Sequence, residues 1–358
     1  MDYFCHKFFC MEYNVIDLFC GIGGLSYGLK KSGFNILAGI DVDDSCKFAY
    51  ETNVKAEFIA SDIRKIKGNE LVEKYWGDNN KILVGCAPCQ PFSTHSNKIK
   101  NNETSDKWNL LNEFSRLVKE TNPEIISMEN VPNLVNKKIF TDFKTQLLEL
   151  GYFISYHIVY CPDYGIPQKR RRLVLLGSKH GKISLLDKTH SPNTYRTVRQ
   201  VIGKLPIINN GENCLKDVLH KSSALTDINL KRIIASKPNG TWKDWDESLL
   251  LDCHKKESGK TYTSVYGRMS WDEPSPTITT QFFSIGTGRF GHPEQNRGLS
   301  LREGALLQTF PQNYKLIKTN DSLSMKKIAT HIGNAVPVDL GFVIGKSIIK
   351  HLKEYGKI

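Results

Sequence analysis

The sequence lacks any apolar run that approaches the ~18 residues a membrane-spanning helix needs. Its first residues also lack the charged-then-apolar order of a secretory signal peptide. No internal repeat or low-complexity segment occurs. These absences argue against integral membrane and fibrous proteins, and we expect a soluble protein of the cytoplasm.

Paired cysteine spacing is almost absent as well. The chain has 9 cysteines, an odd number. Cys86 and Cys89 form one CxxC, but no second pair or His-x-x-x-His follows at the distance that a zinc site requires. We therefore expect no metal site and mostly reduced thiols, with one or two cysteines reserved for chemistry.

Positive charge is abundant, since 49 Lys and Arg residues outweigh 37 Asp and Glu residues and give a net charge of +12. Such a balance suits a polyanionic partner, because basic side chains that meet phosphates release condensed counterions. Charge alone does not distinguish DNA from RNA or an anionic membrane surface. The length of 358 residues accommodates a large domain and a smaller one.

The first part of the chain alternates apolar runs with amphipathic segments. The run 15–20 ends in Gly21-Ile22-Gly23-Gly24, an amphipathic stretch follows, and the next run, 36–40, ends at Asp41. Strand, glycine turn, helix and strand in this order predict an α/β fold, a doubly wound and mostly parallel sheet. Further strands are predicted at 56–60, 82–85, 125–128 and 173–177.

The composition and periodicity of the sequence change after residue 177. Residues 179–280 are polar, interrupted by Pro and Gly, and without sustained helical periodicity, which predicts a second, smaller, irregular domain. A helical pattern returns from residue 299. We predict a catalytic and cofactor-binding domain at 1–182, completed by 331–358, and a recognition domain with its hinge at 183–330.

Glycines and acids mark the carboxyl ends of the predicted strands, where open α/β sheets bind ligands. Glycines at 21, 23 and 24 allow a ligand to approach the backbone and leave N–H groups free at a helix start. Asp41 is placed to accept hydrogen bonds from ribose hydroxyls, and Asp62 follows the next strand. The spacing G-x-G-G differs from the dinucleotide pattern GxGxxG.

Cys89 stands between Pro88 and Gln90 directly after a predicted strand. A stiff backbone at the edge of a sheet would expose this thiol, as a nucleophile requires. The alternative is a buried structural cysteine, an interpretation that fits Cys86 better. The polar segment 93–107 has the character of a mobile lid.

Glu129, at another strand end, could protonate a ring nitrogen while a nearby thiolate attacks; alone, it would more often be a helix cap or a surface acid. Gln168, Arg170 and Arg172 alternate before a strand, so they would share one face and offer donors to a base, a phosphate or Glu129. A solvated basic run is the alternative.

These blocks, in this order, resemble the cytosine-carbon-5 DNA methyltransferases. The resemblance rests on Asp17-Leu18-Phe19-x-Gly-x-Gly-Gly, Pro88-Cys89-Gln90, Glu129-Asn130-Val131, Gln168-x-Arg170-x-Arg172, Leu301-Arg302-Glu303 with Phe310-Pro311, and Gly333-Asn334-Ala335-Val336-Pro337. It covers roughly residues 15–352, apart from the irregular middle. Single blocks are common, whereas five or six in fixed order are specific.

The resemblance implies S-adenosylmethionine as methyl donor. Phe19 would stack on its adenine, and Asp62 would bind the adenine amino group. Asp41 would bind the ribose; many relatives have Glu at this position. The remaining cofactor-binding residues that it implies are Gly21, Gly23, Gly24, Pro88, Leu110 and Asn334.

The resemblance also implies the reaction. Cys89 would attack carbon 6 of a flipped-out cytosine, Glu129 would protonate its N3, and Arg172, with Arg170, would hold the base carbonyl and orient Glu129. Gln90, Ser93, Gln168 and Arg289 would contact double-stranded DNA, although a plain turn at 284–289 is an equal alternative. The whole looks most like a bacterial restriction–modification methylase, expected to be a monomer with a cognate endonuclease encoded nearby.

Three other functions remain open to test. A tRNA methyltransferase of the same family would carry a Cys-Phe-Thr tripeptide, which the middle segment lacks. A non-catalytic DNA-binding relative would be expected to lose Cys89, Glu129 or the cofactor glycines. A dehydrogenase would need another glycine spacing.

Overall fold

The computed structural model describes residues 13–88, 110–318 and 321–358, which form two compact units. The first unit comprises Met1–Tyr160, Arg171–Thr189 and Val336–Ile358, and the second comprises Cys161–Arg170 and His190–Ala335. The predicted functional domains, 1–182 with 331–358 and 183–330, stay a prediction. Residues 161–170, which that prediction assigned to the catalytic domain, group with the second unit.

A seven-stranded sheet forms the centre of the first unit. Its strands are β1 (Tyr13–Leu18), β2 (Asn35–Asp41), β3 (Glu57–Ala60), β4 (Asn80–Gly85), β5 (Ile125–Asn130), β6 (Phe153–Tyr160) and β7 (Arg171–Ser178). The spatial order is β3-β2-β1-β4-β5-β7-β6. The first five strands pair in parallel, and β7 runs antiparallel to both β5 and β6. The predicted doubly wound, mostly parallel sheet is confirmed.

Helices cover both faces of this sheet, as parallel connections require. They are α1 (Gly24–Ser32), α2 (Lys47–Val54), α3 (Gly68–Leu71, continued by a π-turn), α4 (Leu110–Thr121), α5 (Lys138–Glu149) and, from the C-terminal part, α11 (Val338–Glu354). The core between sheet and helices contains Ile16, Leu83, Phe114, Ile126 and Phe143, all 2% exposed or less. Continuous apolar runs in β1 and β4 match strands that are buried on both faces.

Two glycines of the α1 region, Gly28 within the helix and Gly33 directly after it, have identifiable structural roles. Gly33 follows its last turn with φ +118°, the left-handed conformation that closes a helix and that glycine adopts without strain. A Cβ at Gly28 would lie 2.6 Å from the Phe342 nitrogen and 2.7 Å from the Gly341 carbonyl carbon. The absence of side chains there lets α11 approach the backbone of α1.

Strand β6 is absent from the sequence prediction. It lies at the edge of the sheet, and three of its apolar side chains, Phe153, Tyr156 and Ile158, are 42–54% exposed. Polar residues interrupt the apolar residues of β6, so the sequence has no continuous apolar run there. An edge strand does not need such a run. The structure also places Glu129 within β5, one residue before its end, where we predicted a position just past the strand.

The second unit contains little sheet. A two-stranded ribbon pairs β8 (Asn213–Cys214) with β9 (Asp217–Lys221), and the helices are α6 (Val198–Ile202), α7 (Asp227–Ala235), α8 (Asp252–Lys255), α9 (Leu301–Leu307) and α10 (Met325–Asn334). Its interior holds an ion pair, since Arg297 and Glu303 are 0% and 1% exposed and join at 2.7 Å. Burial disfavours charge on Glu303, but Arg297 lowers its pKa to about 2.

One stretch, Met325–Glu354, is long and apolar enough by composition to cross a membrane. Within the protein, 72% of its most apolar window is buried. The stretch also consists of two helices, α10 and α11, separated by Ala335–Pro337. We interpret both as core helices.

Candidate active site

The candidate site lies where the strand order of the sheet reverses. Strands β1 and β4 are parallel neighbours, and the chain moves from β1 toward β2 and β3 but from β4 toward β5. Open α/β sheets bind ligands beyond the carboxyl ends of the strands at such a point. The glycine loop follows β1 there, and Cys86, Ala87 and Pro88 follow β4.

The glycine loop has a backbone that side chains disfavour. Gly21 and Gly23 have φ of +50° and +87°, and a Cβ on Gly21 would meet no heavy atom within 4 Å. Phe19 also has a positive φ, +61°, which costs a non-glycine residue ~1–3 kcal/mol. Its ring is partly buried against the core. The loop is thus a strained, open turn that ends in the N-terminus of α1.

Two acids lie at the ends of neighbouring strands. Asp41 accepts the Gly21 N–H at 2.8 Å and the Asp43 N–H at 3.0 Å; burial raises its pKa despite these donors. Asp62 is paired with Arg64 at 2.6 Å, and hydrogen bonds from Arg64 lower its pKa to about 2. Asp41 therefore ties the end of β2 to the glycine loop, while Asp62 caps the turn after β3.

These residues fit a ligand that carries a ribose and a flexible chain. The open side of Gly21 leaves room for a close backbone approach, and the partly exposed Asp41 carboxylate can accept from hydroxyl groups. The only cysteine of the loop, Cys20, is buried, and burial raises the pKa of its thiol, so this cysteine stays protonated. The loop is suited to binding and not to covalent chemistry.

Glu129 has a partner on each carboxylate oxygen. Arg172 Nε lies 2.9 Å from Oε1, and the Cys86 thiol donates to Oε2 at 2.7 Å. Glu129 is only 2% exposed, whereas Arg172 is 15% exposed. The structure therefore brings together two predicted residues, Glu129 and Arg172. Cys86, expected to be a buried structural thiol, is a third member that the sequence interpretation missed.

Gln168 and Arg170 take a different place from Arg172. Gln168 was expected to contact DNA, but it is 0% exposed: its amide donates to Gln308 at 2.9 Å and accepts the Ile278 N–H at 2.9 Å. Arg170 is 3% exposed and donates to the Ile278 carbonyl at 3.1 Å. Both residues hold the second unit together.

The predicted common face of these three residues is absent because Gln168 and Arg170 precede the strand and only Arg172 lies within it. Strand β7 begins at Arg171, and the segment before it belongs to the second unit. Period-2 alternation therefore does not extend from Arg172 back to Gln168.

The other predicted site residues that the structure describes are divided between the two units. Pro88 is exposed at the end of the described segment after β4, and Leu110 begins α4, partly buried against the core. Asn334 is the exposed last residue of α10 in the second unit. Arg289 is half-buried, and its Nη1 donates to the Gly240 carbonyl at 2.5 Å, which supports the 284–289 turn. Cys89, Gln90 and Ser93 lie outside the described residues.

Asp17 is a buried acid that our sequence analysis named only as part of a block. It lies on β1 beneath the glycine loop, 1% exposed, and accepts from Ser26 Oγ at 2.6 Å. Ser26 Oγ is also 3.0 Å from the Tyr50 hydroxyl. Burial, with a contribution from the charge of Asp41, raises the pKa of Asp17 to about 7. Ser26 thus links β1 to α1 and α2 through hydrogen-bond distances to Asp17 and Tyr50.

Relatives of the chain can be identified over nearly its whole length. The chain is 54% identical over 342 residues to the Type II methylase M.HgiDII of Herpetosiphon aurantiacus, covering 95% of this chain and 96% of that protein. It is 32% identical to the Type II methyltransferase M1.HphI of Haemophilus parahaemolyticus, covering 97% and 91%.

Solved structures agree on the fold. A putative DNA modification methyltransferase encoded within an Escherichia coli prophage superposes with a TM-score of 0.72 at 22% identity, covering 95% of this chain and 99% of that one. The model of the C-5 cytosine-specific DNA methylase family matches residues 13–350. This match and the 54% identity to a type II methylase show that the chain, with its glycine loop and its Glu129–Arg172 pair, belongs to the C-5 cytosine-specific DNA methylases and is a DNA (cytosine-5-)-methyltransferase.

Proposed function

We propose that the chain methylates carbon 5 of cytosine within one short sequence of double-stranded DNA, as the modification enzyme of a restriction–modification system. The observation that carries the proposed site is the buried Glu129 carboxyl, held by Arg172 beside the segment that leads from β4 into Cys89. The relatives named as type II methylases support the biological setting. A cognate endonuclease, a monomeric state and action in the cytoplasm on the nucleoid belong to the same proposal.

Cytosine needs activation, because its carbon 5 is a poor nucleophile. The Cys89 thiolate would add to carbon 6 while Glu129 donates a proton to ring nitrogen N3, which gives an enamine whose carbon 5 is nucleophilic. Carbon 5 then accepts the methyl group and loses its proton to a base. Expulsion of the Cys89 thiolate, with return of the N3 proton, restores the aromatic ring.

Arg172 would keep the proton donor in place. Its Nε forms an ion pair with Oε1 and its Nη1 donates to the Arg171 carbonyl at 2.7 Å, so Nη2 is the group that would reach the carbonyl of the base. Because the reacting atoms of a stacked cytosine are inaccessible, the base must leave the duplex at a cost of a few kcal/mol.

S-adenosylmethionine, when bound, supplies an electrophilic methyl group. The residues that best fit it are those of the open glycine loop at the switch point and the acid that accepts a hydrogen bond from this loop, namely Phe19, Gly21, Gly23, Gly24 and Asp41. Asp62 can take part on its exposed side, although Arg64 engages its carboxylate. Pro88, Leu110 and Asn334 remain assignments by family resemblance.

The recognition of the DNA sequence is proposed for the second unit, roughly residues 183–330. It would read base edges in the major groove while basic residues position the phosphates. Gln90, Ser93 and Arg289 stay candidates for DNA contact, and Gln168 is assigned instead to the interior of this unit, where its hydrogen bonds lie.

The decisive experiment measures transfer of labelled methyl groups to duplex DNA and, in parallel, to tRNA. Bisulfite sequencing of the DNA then locates each modified cytosine. We expect methylation at one short sequence, abolished by Cys89→Ser and reduced at least a hundredfold by Glu129→Gln, because proton transfer contributes about 10²–10⁴-fold.

Thr145→Ala serves as the control, since Thr145 is an exposed residue of α5 in the first unit and belongs to neither proposed site. It should retain activity. Label on tRNA alone would assign the chain to RNA, and no transfer to either substrate by a folded wild-type protein would refute the proposed function.

A further inference from the structure

Cys86 occupies a fixed position beside Glu129. Strands β4 and β5 pair with Gly85 opposite Met128, so the next residues along each strand, Cys86 and Glu129, are neighbours. The backbone here is anchored on both sides: the Cys86 N–H donates to the Leu18 carbonyl at 3.3 Å. The Asn130 side chain donates to the Ala87 carbonyl at 3.0 Å. The Cys86 thiol therefore meets the carboxyl from a rigid support.

The two carboxylate oxygens of Glu129 are held in different ways. Arg172 Nε forms an ion pair with Oε1 at 2.9 Å, but no hydrogen bond from the described residues reaches this oxygen. The Cys86 thiol donates a hydrogen bond to Oε2 at 2.7 Å. The charge of Arg172 attracts the carboxylate without a directional bond, so the hydrogen bond from Cys86 sets the plane of the group, and proton transfer depends on such geometry.

We propose that Cys86 is a positioning residue that holds the Glu129 carboxyl in the plane from which it protonates cytosine. This inference rests on the proposed function, in which Glu129 is the proton donor. Cys86 forms no bond to the substrate in this role and acts only through Glu129. The nucleophile remains Cys89, three residues further along the chain.

The test compares two substitutions at the same site. Cys86→Ala removes the donor and Cys86→Ser keeps one. We expect Cys86→Ala to lower kcat about tenfold, the range for a hydrogen bond to a charged group. The KM values for DNA and S-adenosylmethionine should stay within about twofold, because the lost interaction orients a proton and binds neither substrate. Cys86→Ser should recover most of the loss.

A double-mutant cycle tests whether the effect passes through Glu129. In a Glu129→Gln background, measured by single-turnover methyl transfer, Cys86→Ala should cause little further loss, since the group that it positions is gone. Thr145→Ala, which removes an exposed hydroxyl donor on α5, is the control and should leave kcat unchanged. Urea unfolding of each variant reports whether the fold survives.

Several results would overturn the inference. Equal activity of Cys86→Ala and wild type would remove any role, and equal losses in Cys86→Ala and Cys86→Ser would assign the effect to the thiol itself and not to a donor. A full additional loss in the Glu129→Gln background would place the effect elsewhere. If Cys86→Ala does not fold, Cys86→Val, which fills the site without a donor, takes its place. An inactive wild type would instead contradict the proposed function.

Discussion

Asp17 is a buried carboxyl group on β1, the strand that leads into the glycine loop. It is 1% exposed, and its hydrogen bond from Ser26 does not compensate for the loss of hydration. Burial consequently raises its pKa from 3.8 to about 7. The folded protein binds a proton at this position more tightly than the unfolded chain does.

This shift predicts a stability that falls as the pH rises. Asp17 favours folding most below pH 3.8, and its contribution declines between pH 3.8 and about 7, because only the unfolded chain ionises freely there. The full difference is roughly 4 kcal/mol at 1.36 kcal/mol per pKa unit. Asp17→Asn, which stays neutral, should flatten the decline between pH 5 and 8 in urea unfolding.

Asp142→Asn is the matched control for this measurement. Asp142 lies on the outer side of α5 and pairs with Lys138 at the surface, so its removal should leave the pH dependence unchanged. A wild-type and an Asp17→Asn curve of equal slope would show that Asp17 does not hold a proton in the folded state.

At the scale of residues, the pattern alone left a base, a phosphate and Glu129 open as partners of Arg172. The family resemblance implied that Arg172 orients Glu129, and the two side chains lie 2.9 Å apart. Cys86 was not recognised, because the CxxC spacing says nothing about which side chain on the neighbouring strand a thiol meets. That contact depends on the register of β4 with β5, which no local pattern encodes.

The pair of helices α1 and α11 is held together at the scale of elements by missing side chains. Gly28 lies against the backbone of α11, and Gly341 lies against the backbone of α1. A Cβ on Gly341 would lie 2.8 Å from the Leu25 carbonyl oxygen. Backbone atoms cannot relieve such a contact by changing rotamer, as a side chain can. A methyl group at either position must therefore push the helices apart.

Gly28→Ala should destabilise the protein by about 1–3 kcal/mol, as overpacking in a core does. The sign of this stability change is informative. Alanine is a better helix former than glycine by about 1 kcal/mol, so without the steric conflict Gly28→Ala would stabilise α1. Chemical unfolding followed by circular dichroism measures the change.

Lys350→Ala, on the exposed side of α11, is the control and should stay within about 0.5 kcal/mol of wild type. A Gly28→Ala protein at least as stable as wild type would mean that the two helices accommodate a methyl group without separating.

Elements with a continuous apolar run were the predictable ones. Strands β1, β2, β4 and β7 were expected within a few residues of their observed limits, because burial on both faces demands such runs. Strand β6 was not predicted, because an edge strand pairs with only one neighbour and needs no continuous apolar run. The Gln168–Arg172 alternation misled for a related reason: the chain leaves the first unit between Tyr160 and Arg171, and periodicity does not mark that transition.

The whole molecule carries a net charge of +12, which bears on its partner more than on its fold. We expect the logarithm of DNA affinity to fall linearly with the logarithm of salt concentration. With six to ten phosphate contacts, the loss between 50 and 200 mM salt is about 10³–10⁵-fold. Fluorescence anisotropy of a labelled duplex measures it.

Binding of S-adenosylmethionine, measured by calorimetry over the same salt range, provides the comparison. A small ligand has no condensed counterions to release, so its affinity should change only slightly. A salt-independent DNA affinity would argue against phosphate contacts as the main source of binding.

The chain order of α11 has a consequence for how the protein is made. This helix covers α1 in the first unit, yet it is synthesised only after the second unit, His190–Ala335. At roughly 5–20 residues per second, a ribosome leaves the apolar side of α1 uncovered for some tens of seconds. The apolar side of α1 is therefore exposed on the nascent chain, and accessible to chaperones, until α11 emerges. We expect the packing of the first unit to be completed only after translation of the second, and a polypeptide released before residue 338 to leave α1 uncovered.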